Sequence, residues 1–383
     1  MRQWPKIALG DVLCRSIEPA VCMPDAEYDE VTIRLWGKGV ISRGKVRGAD
    51  VTTPRRVVRA NQLILSKIDA RNGAIGLVPQ ELDGAIVSND FPSFEFSDST
   101  QFDPAFMGWM VRSRQFVDLC KAASEGTTNR VRIKEDRFLA QQIVLPPLAE
   151  QQAIVSRLDT LADKVRQVNE RLDAIERNAD LMLRAHIFCL PGKALVRSRM
   201  ADLLALRQPD VRVDRLQRYH FAGVYSFGRG VFASVSKDGS EFAYERLSTV
   251  RAGDFIYPKL MAWEGALGVV PPECDGLVVS PEFPVFTVDT DAVLPEALDI
   301  YFRTPEVWPQ IAEISGGTNV RRRRVQPSAF LNYEMPLPSM RTQLKLRELY
   351  RRTQALKARH AAIRQANDAL IPATLERVFS GIH

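Results

Sequence analysis

Apolar and polar positions follow two different periods along this chain, and the switch from one to the other happens twice. Residues 1–145 carry short apolar stretches broken by Gly, Pro, Asp and Asn. Among them "QLILSKI" (62–68), "GAIGLV" (73–78) and "GAIVS" (84–88) predict strands. "PAFMGWMVRSRQFVDLCKAAS" (104–124) reads as helical. After a proline-bearing boundary, "LPPLAEQ", the period lengthens. Ile154, Leu158, Leu161, Val165, Val168, Leu172, Ile175, Ala179 and Met182 recur at alternating spacings of four and three, the seam of a coiled coil. A helix of roughly 40 residues here would span about 60 Å.

The same succession then returns. "DFIYPKL", "GALGVV" and "GLVVS" predict strands within 254–280, and "PEALDIYFRTPEVWPQIAEIS" (295–315) reads as helical. After "LPSMRTQ", Leu349, Leu356, Ile363 and Leu370 stand seven apart, with a companion column of Leu346, Thr353, His360 and Asn367. Polar residues in such a column specify register or partner more than they stabilise. Pro372 is expected to end or kink this second helix near its C-terminus.

Aligning the halves shows why the pattern repeats. Val58–Phe94 set against Val250–Phe286 gives 19 identities in 37 positions without a gap. "KIDARNGAIGLVP" (67–79) matches "KLMAWEGALGVVP" (259–271), and with a one-residue slip Gly37-x-Gly39-Val40 meets Gly228-x-Gly230-Val231. The chain is a tandem duplication. The predicted fold class is α+β: two tandem mixed α/β globules (1–145 and 191–338), each with a twisted, mostly antiparallel sheet and each followed by a long helix (146–190 and 339–383). The two helices are expected to pair as an antiparallel coiled coil, relating the globules by an approximate two-fold axis. Such a pair of modules suits a two-fold-related ligand, of which duplex DNA is the commonest.

Composition narrows the options further. A length of 383 residues predicts two to three domains, and 45% hydrophobic with 26% charged residues is ordinary for a soluble protein. No apolar run approaches the roughly 20 residues of a membrane span. The opening "MRQWPKIALGDVLC" lacks the apolar core of a signal peptide, so a cytoplasmic location without membrane association is expected. Cys14, Cys22, Cys120, Cys189 and Cys274 are scattered without metal-ligand spacing, which predicts reduced thiols and no structural zinc. A net charge of +6 is compatible with nucleic acid.

Catalytic patterns are missing from the sequence. There is no phosphate-cradling G-x-x-x-x-G-K-[ST] loop, "FGRG" (227–230) is too short for a dinucleotide site, and no amino-methyltransferase motif is present. His186, His220, His360 and His383 lie far apart and make no zinc or triad pattern. Asp69 aligns with Met261, which argues against a duplicated metal site. No cofactor is expected in this chain.

Readout of DNA has better support. The repeated loop keeps Lys67/Lys259 and its glycines but varies between them: Asp69, Arg71 and Asn72 in the first copy, Met261, Trp263 and Glu264 in the second. A fixed glycine frame with variable polar residues is what a reader of two different base sequences needs, because Arg, Asn, Asp and Glu pair with base edges. A solvated hairpin is the plainer alternative for any single residue. "GTTNRVRIK" (126–134) and "GTNVRRRR" (317–324) each place Gly-Thr and Asn before a basic cluster. Asn129, Arg130, Arg132 and Lys134, with Asn319, Arg321, Arg322, Arg323 and Arg324, are the candidate phosphate contacts, which supply affinity and salt dependence without sequence information. Arg43, Lys45, Arg47, Arg55 and Arg56 form a further basic stretch in the first copy. The second helix carries eight Lys/Arg between Arg341 and Arg364 against one acid, Glu348. That excess suits DNA, an acidic partner or plain solvation.

On these residues the chain resembles the specificity subunits of type I restriction–modification systems. "IVLPPLAEQQAIVSRLDTLADKV" and the "SKIDARNGAIG" loop carry the resemblance, which covers the whole chain. In the second copy the boundary motif is reduced to Leu337, Pro338 and Gln343. The resemblance implies two target recognition domains (1–145 and 191–338), each reading one half of a bipartite, gapped DNA target, and two conserved-region helices (146–190 and 339–383) that set the gap. It implies that the helices dock two methyltransferase subunits, which hold S-adenosylmethionine, and that motor–nuclease subunits can join them. It also implies that this chain does no bond chemistry itself. Three other readings stay open: a DNA-targeting adaptor for a different defence effector, a coiled-coil scaffold for protein partners, and a stand-alone nuclease.

Overall fold

The computed structural model describes residues 4–97, 101–126, 131–188, 196–317 and 323–380. The chain packs as two compact units, Met1–Glu170 with Ala362–His383, and Arg171–Ala361. The packing thus groups the four linear segments differently from their order along the chain, because each unit takes part of both long helices.

In the first unit, strand Lys6–Ala8 pairs antiparallel with Gln142–Val144, joining the two ends of the globule at the foot of its helix. A four-stranded antiparallel sheet runs Leu13–Ser16, Ser93–Phe96, Leu63–Leu65, Ile75–Leu77. A second sheet runs Val40–Arg47, Glu27–Ile33, Ile86–Val87, Arg56–Val57, with a parallel pairing at Glu30 and Ile86. The second unit repeats the plan. Val196–Arg199 pairs with Glu334–Leu337, and the next sheet runs Leu204–Leu206, Val285–Val288, Phe255–Ile256, Gly268–Val269. The last sheet gains one edge strand, Val211–Arg212, and holds its parallel pairing at Phe221 and Val278. Each copy is therefore built from several small sheets, where a single sheet was expected. Only the hairpin strands of each copy reach seven to nine residues; most of the others have two to four.

The helical stretch 104–124 is also divided. Asp103 caps Pro104–Met110 by accepting the Ala105 N–H, and Ser113 caps Arg114–Ala122 by accepting the Phe116 N–H. The Ser113 hydroxyl, between Arg112 and Arg114, marks where one helix stops and the next starts. The counterpart 295–315 divides into Pro295–Phe302, a single 3-10 turn and Trp308–Glu313.

Two helices of 41 residues, Leu148–Phe188 and Met340–Ser380, follow the globules. A glutamine fixes the start of each. Gln151, fully buried, donates to the carbonyls of Gln101 (2.9 Å) and Pro146 (2.8 Å) and accepts the Asp103 N–H (2.9 Å). Gln343 does the same with Ala292 (3.3 Å), Pro338 (2.9 Å) and the Leu294 N–H (2.8 Å). This clamp is what the reduced motif of the second copy retains.

The helices run antiparallel in both units. In the first, Asn367 donates to Asn169 at 3.1 Å, and Leu375 and Phe379 share a core with Val155, Leu158 and Phe106. In the second, Lys357 pairs with Asp180 at 2.8 Å, His360 lies 2.8 Å from Glu176, and Leu183 and Ile187 share a core with Leu346. The late turns of one helix thus complete the same core as the early turns of the other.

The seam is narrower than its sequence pattern. Leu158 and Leu172 are buried and Ile154, Leu161 and Val165 half-buried, but Val168 and Ile175 are exposed. In the second helix Leu349 and Leu356 are half-buried while Ile363 and Leu370 are exposed. The polar column is the covered one: Thr353 and His360 are each 5% exposed. A straight helix drifts about 20° per heptad from a 3.5-residue repeat, so a two-helix contact covers one column and loses the other. Pro372 does not end the helix, which continues to Ser380.

Cys120 is a core thiol, its pKa pushed up to about 12 by burial. Among the described residues no helix is long and apolar enough to cross a membrane, and no group of His, Cys, Asp or Glu could hold a metal ion.

Candidate nucleic-acid interface

The glycine-framed loop has one backbone in both copies. It leaves strand Leu63–Leu65 or Phe255–Ile256, makes a 3-10 turn at Ala70–Asn72 or Ala262–Glu264, and closes on Gly73 (φ 77°) or Gly265 (φ 78°). Only glycine occupies that left-handed region without strain. Asp69 and Met261 enter the turn at φ −110° and −113°, both with ψ 4°. An acid and a thioether thus hold the same conformation, so the variable side chains are not what shapes the loop.

A hairpin tip docks on each loop. The Trp36 N–H donates to the Asn72 carbonyl (3.0 Å) and the Gly37 N–H to that of Gly73 (2.9 Å). In the second copy Phe227 donates to Glu264 (2.8 Å) and Gly228 to Gly265 (3.0 Å). Gly37 cannot carry a side chain, since a Cβ there would lie 2.8 Å from Cγ of Arg112. Trp36 and Phe227 themselves sit at φ 61° and 63°. For a non-glycine residue that conformation costs on the order of 1–3 kcal/mol. Both rings face solvent, 66% and 62% exposed.

The basic segment joins from the other side. The Ile133 N–H donates to the Lys67 carbonyl (2.8 Å), and the Val325 N–H to that of Lys259 (2.9 Å). Arg132 pairs with Asp90 at 2.8 Å and Arg324 with Glu282 at 2.9 Å, equivalent positions in the repeat. Tip and basic segment are therefore both hydrogen-bonded to the same loop in each copy.

Individual residues divide by partner. Lys67 pairs with Glu135 at 2.9 Å, whereas Lys259 donates to the Pro281 carbonyl at 2.9 Å. Asn72 donates to Asp69 at 3.4 Å, and Glu264 accepts from the Ser226 hydroxyl at 3.4 Å. The Trp263 indole donates to the Leu260 carbonyl at 2.9 Å. Arg71 and Arg323 are half-buried and Lys134 is exposed. Arg132 and Arg324, read as phosphate contacts, spend their charge in this structure on tying the segment to the loop's flank. Asn129, Arg130, Asn319, Arg321 and Arg322 lie outside the described residues. Of the further basic stretch, Arg43, Lys45 and Arg47 line an exposed strand, while Arg55 pairs with Glu30 at 3.2 Å.

Sequence reasoning missed the two tip aromatics, although each directly precedes the matched Gly-x-Gly-Val and could have been found there. It also missed the layer beneath the tips. Arg112 stands 4.5 Å over the Trp109 ring, whose indole donates to Asp159 at 2.8 Å. In the second copy Arg303 pairs with buried Asp299 at 2.6 Å, which also accepts from the Tyr350 hydroxyl at 2.6 Å. Burial, with Asp299 second, raises the Tyr350 phenol well above its ordinary value.

Comparison with known proteins agrees with this geometry. Residues 3–177 match the family model of the type I restriction modification DNA specificity domain, and that segment belongs to the family. Over the whole chain the fold is similar to solved structures. The crystal structure of the HsdS subunit from Thermoanaerobacter tengcongensis matches 99% of this chain and 97% of its own, at TM-score 0.53 and 19% identity. A structure described as showing complex assembly and conformational transition of the type I R-M system matches 100% of this chain and 99% of its own, at TM-score 0.65 and 19% identity. No curated protein sequence matches the chain. The first half thus matches the DNA specificity domain, and the internal repeat extends its architecture to the second.

Proposed function

We propose that the chain is the specificity subunit of a type I restriction–modification system, reading a bipartite, gapped duplex. The observation that carries this is the loop pair: one backbone, held by the same glycines and tip hydrogen bonds, displaying Asp69, Arg71 and Asn72 in one copy and Met261, Trp263 and Glu264 in the other. Each copy reads one half-site. The segments 1–145 and 191–338 act as target recognition domains, and the helices 146–190 and 339–383 set the distance between half-sites. The helices dock two methyltransferase subunits, which hold S-adenosylmethionine, and motor–nuclease subunits join that assembly. This chain positions the DNA and makes or breaks no bond.

The test is selection from random duplexes by the purified chain with its partner subunits, at near-physiological salt. Two short fixed blocks separated by a constant gap are expected. Retention without a motif would leave a general phosphate binder, and no retention would favour a protein scaffold. Removing one heptad from each helix in facing turns should shorten the gap by about 10 Å, roughly three base pairs, with both blocks unchanged.

A further inference from the structure

We propose that Trp36 and Phe227 are DNA wedges: each ring, held at the hairpin tip, presses against a base step of the half-site read by the adjoining loop. The inference rests on the DNA-reading function above and assigns a part of it to residues outside the variable loop.

Four observations converge on these rings. They occupy the same place in the two copies, at offset 191, although one is an indole and the other a phenyl. Both expose a large apolar ring in a left-handed conformation, where a glycine would sit without strain. Their N–H groups bond to the loop's own carbonyls, which ties the tip backbone that carries each ring to the loop. The surroundings suit a polyanion, since the first hairpin exposes Arg34 and Lys38 beside the tip and Arg43, Lys45 and Arg47 along the strand. In the second, Phe227 packs edge-on against Trp308 at 6.1 Å, and Arg229 lies 4.7 Å over the Tyr225 ring.

Aromatic rings retained at such a position against solvation and backbone strain have a use when bound. A two-stranded ribbon fits a DNA groove, and apolar side chains inserted between base pairs unstack a step. The ring then favours steps that unstack easily, so it adds specificity at a position with no hydrogen bond to a base edge.

The test uses the full chain with its partner subunits and the duplexes that wild type selects, with 2-aminopurine placed in turn along each half-site. Wild type is expected to brighten the probe at one step in each half-site. Trp36→Gly, which relieves the backbone, should keep the melting temperature at or above wild type. It should abolish the signal in one half-site only and weaken binding about tenfold. Phe227→Gly should do the same in the other half-site, and Trp36→Phe should restore most of the lost signal.

If wild type selects two blocks but Trp36→Gly binds and brightens the probe unchanged, the wedge is overturned while the reading function stands. If Trp36→Gly instead loses partner subunits and keeps its DNA preference, the ring belongs to a protein contact and the wedge is equally overturned. If wild type selects no motif, the reading function itself fails.

Discussion

The hairpins Glu27–Ile33/Val40–Arg47 and Arg218–Tyr225/Gly230–Asp238 share a backbone down to an irregularity at Glu30/Val31 and at His220/Ala222, yet they display different chemistry. The first presents Arg43, Lys45 and Arg47 along its outer strand. At the equivalent positions the second has Ser234, Ser236 and Asp238, with Tyr225 stacked on Phe232 at 3.7 Å. Beneath the tips the contrast reverses. Gly108 stands where the second copy has Asp299, so the arginine under the second tip has a buried carboxylate partner, whereas Arg112 under the first stacks on Trp109. The lesson is that glycines, caps and tip hydrogen bonds define this scaffold, while surface chemistry is free to diverge. Under the proposed function, the first hairpin would meet DNA largely by charge and the second more by packing.

The comparison can be broken most severely at what the copies share. Gln151→Ala and Gln343→Ala each strip partners from buried backbone groups, and each should cost on the order of 3 kcal/mol in denaturant unfolding. A loss from Gln151 alone would show that the second boundary is not an equivalent clamp. Next comes the charge difference. Replacing Arg43, Lys45 and Arg47 together by Gln should weaken DNA binding on the order of a hundredfold and flatten the salt dependence by about two to three counterions. Lys237→Gln in the second hairpin should remove about one at most. Equal slopes for the two variants would erase the distinction drawn between the faces.

Smaller effects follow at the loops. Arg71→Ala should relax preference at a single base pair by about tenfold, and Glu264→Ala at one in the other half-site, measured by competition between duplexes. A change in both half-sites from either substitution would contradict independent reading. Least of all, Asp90→Asn and Glu282→Gln should each alter stability by less than about 1 kcal/mol, because their arginine partners are largely exposed.

Much of this architecture was legible in the sequence. The ungapped register from Val58 to Phe94 against Val250 to Phe286 requires equivalent strands, and the 4–3 spacing requires long helices. What escaped was decided by distant residues. The covered column of the second helix tolerates Thr353 because its hydroxyl donates to the Leu349 carbonyl, and His360 because Glu176 of the facing helix supplies a partner that no local pattern reveals. Trp36 and Phe227 escaped because local propensity does not place a bulky residue at positive φ. Arg132 and Arg324 were recognisable as a repeated pair, but their carboxylate partners lie 42 residues upstream.

The exchange of helix ends between cores has a consequence for how the protein is born. Leu375 and Phe379 are part of the first globule's core, with the Phe379 ring 5.7 Å from that of Phe106. A ribosome emits that globule early, then needs about 10–40 s to reach the turns that cap it. Meanwhile Phe106 and Leu158 lack their cover, and a chain cut short before Leu375 would lame the half that was made first.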